Sequence, residues 1–166
     1  MFVWFAAASF WIVVMVFDSP AIDYRLVMIG GVAPVFEAAV GGPWILHTLL
    51  GCAAVFAVVV VATRGRRLAA RRAIGLPIGL LLHLVLDGTW MNRSLFWWPF
   101  AGGRPLGRGR IPEFDHVATS VVLEIVGVAM AIFAIRRFEL ARPDRRREFM
   151  RTGRLGRDVM RRAKAS

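Results

Sequence analysis

The sequence contains little cysteine, lysine or acid for a chain of 166 residues. Its single cysteine, Cys52, cannot form an internal disulfide, and its position inside an apolar run favours a packing role. Eleven acids stand against 22 basic residues, and only one of the basic residues is a lysine. No internal repeat occurs, and no low-complexity segment precedes the basic C-terminal segment. These absences exclude a disulfide-stabilised fold and a repeat architecture.

The net charge of +11 raises the question of nucleic-acid binding, but the distribution of the charge argues against it. Twelve of the 22 basic residues lie in residues 136–166, and five more lie in the acid-free run 64–72. No aromatic pattern or motif of a nucleic-acid-binding module accompanies them. Such clusters are typical of the cytoplasmic loops and tails of membrane proteins, where they face anionic lipid. We therefore expect membrane lipid, and no nucleic acid, as the partner.

Long apolar runs are what the chain has in abundance, since 57% of its residues are hydrophobic and its mean hydropathy is +0.57. A helix needs about 20 mostly apolar residues to span a membrane. Short polar joints divide the runs into five candidate membrane segments: 2–17, 26–40, 43–63, 73–87 and 114–135. The second segment contains Gly30, Gly31 and Pro34, which fits a kinked span or a re-entrant segment. We predict an all-α, polytopic membrane helix bundle over residues 1–135, followed by a basic cytoplasmic tail over 136–166.

The positive charges also predict an orientation. If both basic clusters are cytoplasmic, the third segment runs inward, the fourth outward and the fifth inward. The N-terminus and the loop 88–112 then lie outside. The first segment lacks the basic region and the A-x-A-like cleavage site of a signal peptide, so we expect a retained helix.

Ionisable side chains in the apolar segments are few, and each costs at least a few kcal/mol in lipid. They are Glu37, His47, His83, Asp87, Asp115, His116 and Glu124, and they include all three histidines of the chain. In the predicted topology all of them except Glu124 gather toward the outer ends of their segments. Such a gathering indicates a functional site.

His83 and Asp87 are four residues apart, so they share one face of a helix. An imidazole and a carboxylate on one face suit Zn²⁺, Mn²⁺ or a similar divalent ion, and another helix can complete the set of ligands. Two other interpretations stay open, a plain ion pair at a helix end and an Asp87 that only orients His83. His47 also fits an interfacial anchor, and Glu124 also fits a packing contact between helices. A metal site requires the side chains of His47, His83 and Asp87 to approach within about 5 Å of one another.

The strings GPWILHTLLG and HLVLDG…LFWWPFAG resemble the YdjM-like family of bacterial inner-membrane proteins, described as predicted metal-dependent hydrolases. The likeness is greatest to a short actinobacterial branch, and the arginine-rich composition suits a high-GC bacterium. It covers roughly residues 1–135 in order and spacing. The resemblance implies a multi-pass protein of the bacterial cytoplasmic (inner) membrane, with a cytoplasmic C-terminus and a divalent metal held by His47, His83 and Asp87. Phe5 stands where the family pattern has a histidine, and Val35 stands where it has an acid.

Two hypotheses follow. In the first, the chain is a membrane-bound, metal-dependent hydrolase that acts on an ester or phosphoester, such as a lipid, at the membrane face. The predicted metal ligands are His47, His83, Asp87 and His116, and the predicted catalytic carboxylates are Glu37 and Glu124. In the second, the chain is a degenerate, non-enzymatic multi-pass scaffold whose polar residues fix helix packing. An ion-conducting role is disfavoured because five short spans leave little room.

Overall fold

The structure is a computed structural model that describes residues 1–39, 41–101, 117–156 and 158–160. Its α-helices are α1 (Phe2–Phe17), α2 (Tyr24–Ala39), α3 (Leu49–Ala62), α4 (Arg67–Ala73), α5 (Gly75–Leu86), α6 (Arg93–Phe96), α7 (Val117–Arg137) and α8 (Pro143–Thr152). Short 3-10 turns occupy Ile45–His47 and Thr89–Met91. These ranges contain no β-strand, so the predicted all-α class is confirmed.

Two helical stretches are long and apolar enough to cross a membrane, Arg67–Leu86 and Ala118–Arg137, each of 20 residues. α1 and α3 are apolar but shorter. Only 11% of the most apolar part of the second stretch is buried, and its Ile125 is 65% exposed. The core helix of a soluble protein would be mostly buried, so this exposed apolar surface is typical of a helix that contacts lipid or a partner. The count of five membrane segments stays a prediction.

The third predicted segment, 43–63, becomes helical only at Leu49. Thr48 has extended backbone angles, and its hydroxyl oxygen accepts a hydrogen bond from the Gly51 N–H at 2.9 Å. A threonine in this position is an N-cap, which satisfies one of the free N–H groups of the first turn. His47 therefore lies in the turn before α3, whereas the sequence placed it at the start of the span.

α2 and α5 pack in the same direction at very short distance. A Cβ atom added at Gly79 would lie 2.1 Å from the Val27 carbonyl oxygen, and one added at Gly30 would lie 2.1 Å from the Leu76 carbonyl oxygen. Only glycine fits such positions, and small residues allow helix backbones to approach closely. Because His83 lies one turn beyond Gly79, this contact brings its ring against α2.

α1 lies between α2 and α7. The Trp11 indole N–H donates to the Met130 carbonyl oxygen of α7 at 3.0 Å, and the rings of Phe10 and Tyr24 lie 5.4 Å apart across the α1–α2 contact. Tryptophan and tyrosine combine a large apolar ring with one polar atom, so they can pack and hydrogen-bond together. These contacts make α1 antiparallel to α2 and parallel to α7.

The segment predicted to be a separate basic tail packs into the bundle. The Tyr24 N–H donates to the Gly153 carbonyl oxygen at 2.8 Å, and the Arg25 guanidinium donates to the Met150 carbonyl oxygen. The main core cluster includes five apolar side chains from beyond residue 135: Phe138, Phe149, Leu155, Val159 and Met160. The sequence missed this because the arginines dominate the composition of the segment, whereas its few apolar residues are spaced so that they are buried together.

Candidate metal centre

Among the described residues, one group of three side chains is arranged to hold a metal ion, and it consists of His47, His83 and Asp87. One ligand atom from each lies within 4.8 Å of the others, which meets the distance that the sequence analysis required. His47 is 1% exposed and His83 is 0% exposed, while Asp87 is half-buried. The Asp87 N–H donates to the His83 carbonyl oxygen at 2.8 Å. The helical geometry therefore extends through Asp87, as the four-residue spacing predicts.

Glu37 at the end of α2 determines the orientation of His47. The His47 Nδ1 atom lies 3.0 Å from Glu37 Oε2. An ionised carboxylate only accepts, so Nδ1 carries a ring proton, and in the neutral imidazole Nε2 carries the lone pair. The His47 Nε2 atom is buried and has no hydrogen-bond partner in the described part of the chain. A buried lone pair of this kind is what a metal ligand requires.

Glu37 also holds the turn that carries His47. Its carboxylate accepts the Trp44 N–H at 3.1 Å and the Leu46 N–H at 3.0 Å. Together with the imidazole, three N–H groups thus converge on one carboxylate. The sequence predicted Glu37 as a catalytic base, but these contacts favour a positioning role, because all of them hold the turn and the ring of His47 in place.

The backbone of α2 determines the orientation of His83. Its Nδ1 atom lies 2.7 Å from the Gly31 carbonyl oxygen, which can only accept. Nδ1 is therefore protonated, and Nε2 is the nitrogen that can bind a metal. The ring of Phe5, which is 0% exposed, packs against His83 with centroids 4.2 Å apart. At this wall of the site Phe5 offers carbon atoms only.

Asp87 has its own orienting partner, which sequence reasoning missed. The Thr89 hydroxyl donates to Asp87 Oδ2 at 2.6 Å, and Thr89 is 2% exposed. Gly88 has a φ of 72°, a value that glycine adopts readily, and this turn folds Thr89 back onto Asp87. The Asp-Gly-Thr string at residues 87–89 indicates this contact, because a threonine two residues after an aspartate, with a glycine between them, is typical of a local side-chain hydrogen bond.

The three side chains would suit a metal site of the catalytic type. Zinc binds histidine nitrogen at about 2.0–2.1 Å and carboxylate oxygen at about 2.0–2.2 Å, so tetrahedral ligand atoms lie roughly 3.4 Å apart. The separations of at most 4.8 Å exceed this value by up to about 1.4 Å, so the side chains would have to move closer to bind a tetrahedral ion. Three protein ligands leave one tetrahedral position for water or substrate, whereas structural zinc sites use four. The mixture of imidazole and carboxylate also suits Mn²⁺.

Glu124, the second predicted catalytic carboxylate, lies away from this group. Both oxygens of the Glu124 carboxylate accept N–H groups from the first turn of α1, those of Val3 at 3.1 Å and Trp4 at 3.2 Å. Glu124 thus caps the positive end of a helix and is not a member of the metal-ligating group. This position does not support the catalytic role that the sequence suggested. His116 lies outside the described residues.

Comparison of the chain with protein-family models, with curated proteins and with solved structures finds no match. The fold and the site together define an all-helical protein with two helices able to cross a membrane and a buried cluster of two histidines and an aspartate. The likeness to the YdjM-like family stays a prediction from the quoted motifs.

Proposed function

We propose that this chain is an integral membrane metalloprotein and that it hydrolyses an ester or a phosphoester at the membrane face. His47, His83 and Asp87 hold one divalent ion, Zn²⁺ or Mn²⁺, in this proposal. The observation that carries it is the convergence of three ligand atoms within 4.8 Å, each on a side chain whose other polar atom is already bonded. Metal sites have this construction, because outer partners fix the tautomer and the direction of each ligand.

The burial of the cluster supports the metal more than an ion pair. The two imidazole rings lie nearly perpendicular to each other with centroids 5.4 Å apart, and both are almost completely buried. A buried nitrogen lone pair without a donor is expensive, and His47 Nε2 is in that situation. A divalent ion would satisfy it. A simple His83–Asp87 ion pair would leave the buried His47 Nε2 atom without a partner.

The chemistry follows from the ligand set. A divalent ion with an open position lowers the pKa of bound water to about 7 and polarises a carbonyl or phosphoryl oxygen. In this chain the imidazoles of His47 and His83 would supply nitrogen ligands and Asp87 would supply a carboxylate oxygen. Glu37 and Thr89 hold His47 and Asp87 in place. Phe5 excludes water from one side of the His83 ring.

The position of the cluster in the bundle supports a site at one membrane face. Glu37 is near the C-terminal end of α2, and His83 and Asp87 are at the C-terminal end of α5. The arginines of residues 64–72 precede the other end of α5. If those arginines are cytoplasmic, the site faces outward from a bacterial inner membrane, in a multi-pass protein whose C-terminus is inside. A substrate at that face would be a lipid ester or lipid phosphoester.

A non-enzymatic scaffold is the second candidate, and specific contacts favour it. Glu37 and Glu124, the two carboxylates proposed as bases, are both bonded to backbone N–H groups. Phe5 also fills the wall of the site where the family pattern has a histidine. In this case the cluster binds a metal for packing, or no metal at all, and turns over no substrate.

Elemental analysis of the detergent-purified protein tests the proposal. We expect about one zinc or manganese per chain, and we expect His83→Ala to carry none. Cys52→Ala is the matched control, because Cys52 is buried and soft but lies outside the cluster, so its metal content should equal that of the wild type. Hydrolysis of nitrophenyl acyl and phosphate esters in micelles, with and without chelator, then separates the hydrolase from the scaffold. Metal-free wild-type protein with unchanged stability in chelator contradicts the metal site.

A further inference from the structure

A second site lies at the opposite end of the bundle from the metal centre. A groove of about 360 Å³ runs between the α1–α2 link and the junction of α4 with α5. The apolar side chains that line it include Phe17, Ile22, Ile74 and Ile78. Arg71 also lines the groove and is exposed, so one cationic residue borders a largely apolar groove.

The charge around the groove is predominantly positive. The run 64–72 contains five arginines and no acid, and the α1–α2 link adds two acids, Asp18 and Asp23, of which Asp23 is paired with Arg25. All five arginines are exposed, and none of them forms an ion pair within the part of the chain that the structure describes. Arg67 and Arg71 are four residues apart on α4 and therefore point from one face of the helix. An anion at this position would find cations that are not already neutralised.

We propose that this groove binds an anionic membrane lipid, with its phosphate against Arg71 and one acyl chain against the apolar lining. The two halves of the groove match the two halves of such a molecule. Guanidinium groups bind phosphate through paired, charge-assisted hydrogen bonds. The apolar wall of Ile74 and Ile78 belongs to a stretch that is long and apolar enough to cross a membrane, so a neighbouring acyl chain can enter the groove from the side.

This inference is independent of the metal site. It uses none of the metal-ligating residues, and it holds whether or not the chain is a hydrolase. It also differs from a general attraction of arginines to an anionic surface, because it assigns one of the five arginines to the groove and leaves the others outside. Arg72, the next residue along α4, is exposed but does not line the groove.

Native mass spectrometry of the full-length protein in detergent micelles tests the proposal with phosphatidylglycerol as the probe. We expect at least one phosphatidylglycerol to stay bound at concentrations where phosphatidylcholine does not. Arg71→Gln should weaken that binding about tenfold, since charged hydrogen bonds of this kind are lost. Arg72→Gln removes the same charge one residue away and should change the affinity less than twofold. Equal effects of the two variants would show diffuse surface charge and overturn the assignment.

A second pair of measurements tests the acyl chain. Ile78→Trp fills the groove and should lower phosphatidylglycerol binding without removing a charge, and Ala70→Leu does the same from α4 if the tryptophan variant does not fold. Glycerol phosphate and inorganic phosphate, which have no acyl chain, should not displace the lipid at equal concentration. Displacement by either of them, or unchanged lipid binding in a folded groove-filling variant, contradicts the proposal.

Discussion

The two ends of the helical bundle hold ionisable groups in opposite ways. At the candidate metal centre His47, His83 and Asp87 are withdrawn from solvent, and each is bonded to a specific partner. At the basic end the arginines of residues 64–72 are exposed and form no ion pair within the described ranges. A few buried polar groups require dedicated partners and therefore build a defined geometry. Many exposed charges act through their combined field and require no fixed contacts.

The basic end also contains buried structure. Asp23 accepts two hydrogen bonds from the Arg25 guanidinium, at 3.0 Å and 2.7 Å, and Arg25 in turn holds the Met150 carbonyl of α8. A Cβ atom added at Gly153 would collide with the Asp23 carboxylate. The chain after α7 is thus held against the start of α2. The two ends therefore differ in how far their ionisable groups are buried and paired, and not only in the sign of their charge.

The largest effect is expected from Phe149→Ala at the basic end. Phe149 is 8% exposed and belongs to the core cluster, so its truncation should lower the free energy of unfolding by about 3–5 kcal/mol. Denaturant unfolding in detergent measures the change. Met150→Ala is the control, since Met150 is 64% exposed and its loss should be nearly neutral. A neutral Phe149→Ala would mean that α8 does not pack on the bundle.

His83→Ala is expected to have the next largest effect, at the other end. It should abolish metal binding and also lower the free energy of unfolding of the metal-free protein by about 2–3 kcal/mol. The second effect arises because the Gly31 carbonyl loses its donor and a cavity forms. Elemental analysis and chelator-treated unfolding measure the two effects separately. Full metal content in this variant would remove His83 from the ligand set.

Glu37→Gln separates a positioning residue from a base. Removal of an outer-shell carboxylate should weaken metal binding about 10- to 100-fold. Competition with a fluorescent chelator measures the dissociation constant. Glu148→Gln on the exposed face of α8 removes the same charge and should leave that constant unchanged. If metal affinity stays constant while ester hydrolysis falls, Glu37 is the base that the sequence suggested.

Glu124→Gln should have a smaller effect, confined to stability. The variant loses the negative charge at the α1 N-terminus and should be destabilised by about 1 kcal/mol. Thermal unfolding measures this loss, and metal content serves as the internal control because it should stay at the wild-type value. Loss of metal from this variant would place Glu124 at the site after all.

The smallest effect is expected from the exposed pair of Arg145 and Asp158. Hydrogen bonds from Arg145 hold the pKa of Asp158 below its ordinary value of 3.8. The pair therefore stabilises the fold fully above that pH, and the contribution is lost as the pH falls through the lowered pKa. Asp158→Asn should remove this acid-dependent component from unfolding curves recorded as the pH is lowered from about 5 to about 2. An unchanged acid profile would mean that the pair contributes no stability.

Sequence reasoning succeeded where the relevant interaction is local or compositional. The all-α class follows from apolar runs, and the relation of His83 to Asp87 follows from the helical repeat. His47 was identified by its isolated polarity, although it lies in a turn before α3 and not within the span. The Thr48 cap was present in the sequence as a threonine before an apolar run, but the long run of residues 43–63 obscured it.

Sequence reasoning was less successful for carboxylates, because the partners of a buried acid depend on packing. Glu37 and Glu124 are acids in apolar segments. Such a position indicates that each carboxylate has a bonding partner, but it does not identify that partner. Glu124 reaches N–H groups 120 and 121 residues away. Glu37 accepts hydrogen bonds from the turn that carries His47, which lies only seven to ten residues later in the chain. The direction of that turn nevertheless depends on the path of the α2–α3 connection.

By itself, the amino-acid sequence determined that this is an apolar, helical, strongly basic chain with three histidines and few acids to place in it. It also determined that His83 and Asp87 share a helix face, since residues four apart in a helix lie one above the other on the same side. Only the tertiary structure decided that His47 joins them, that Glu124 caps α1, and that the apolar residues after α7 complete the core. These outcomes depend on close contacts between distant segments, such as Gly79 against Val27, which no local pattern specifies.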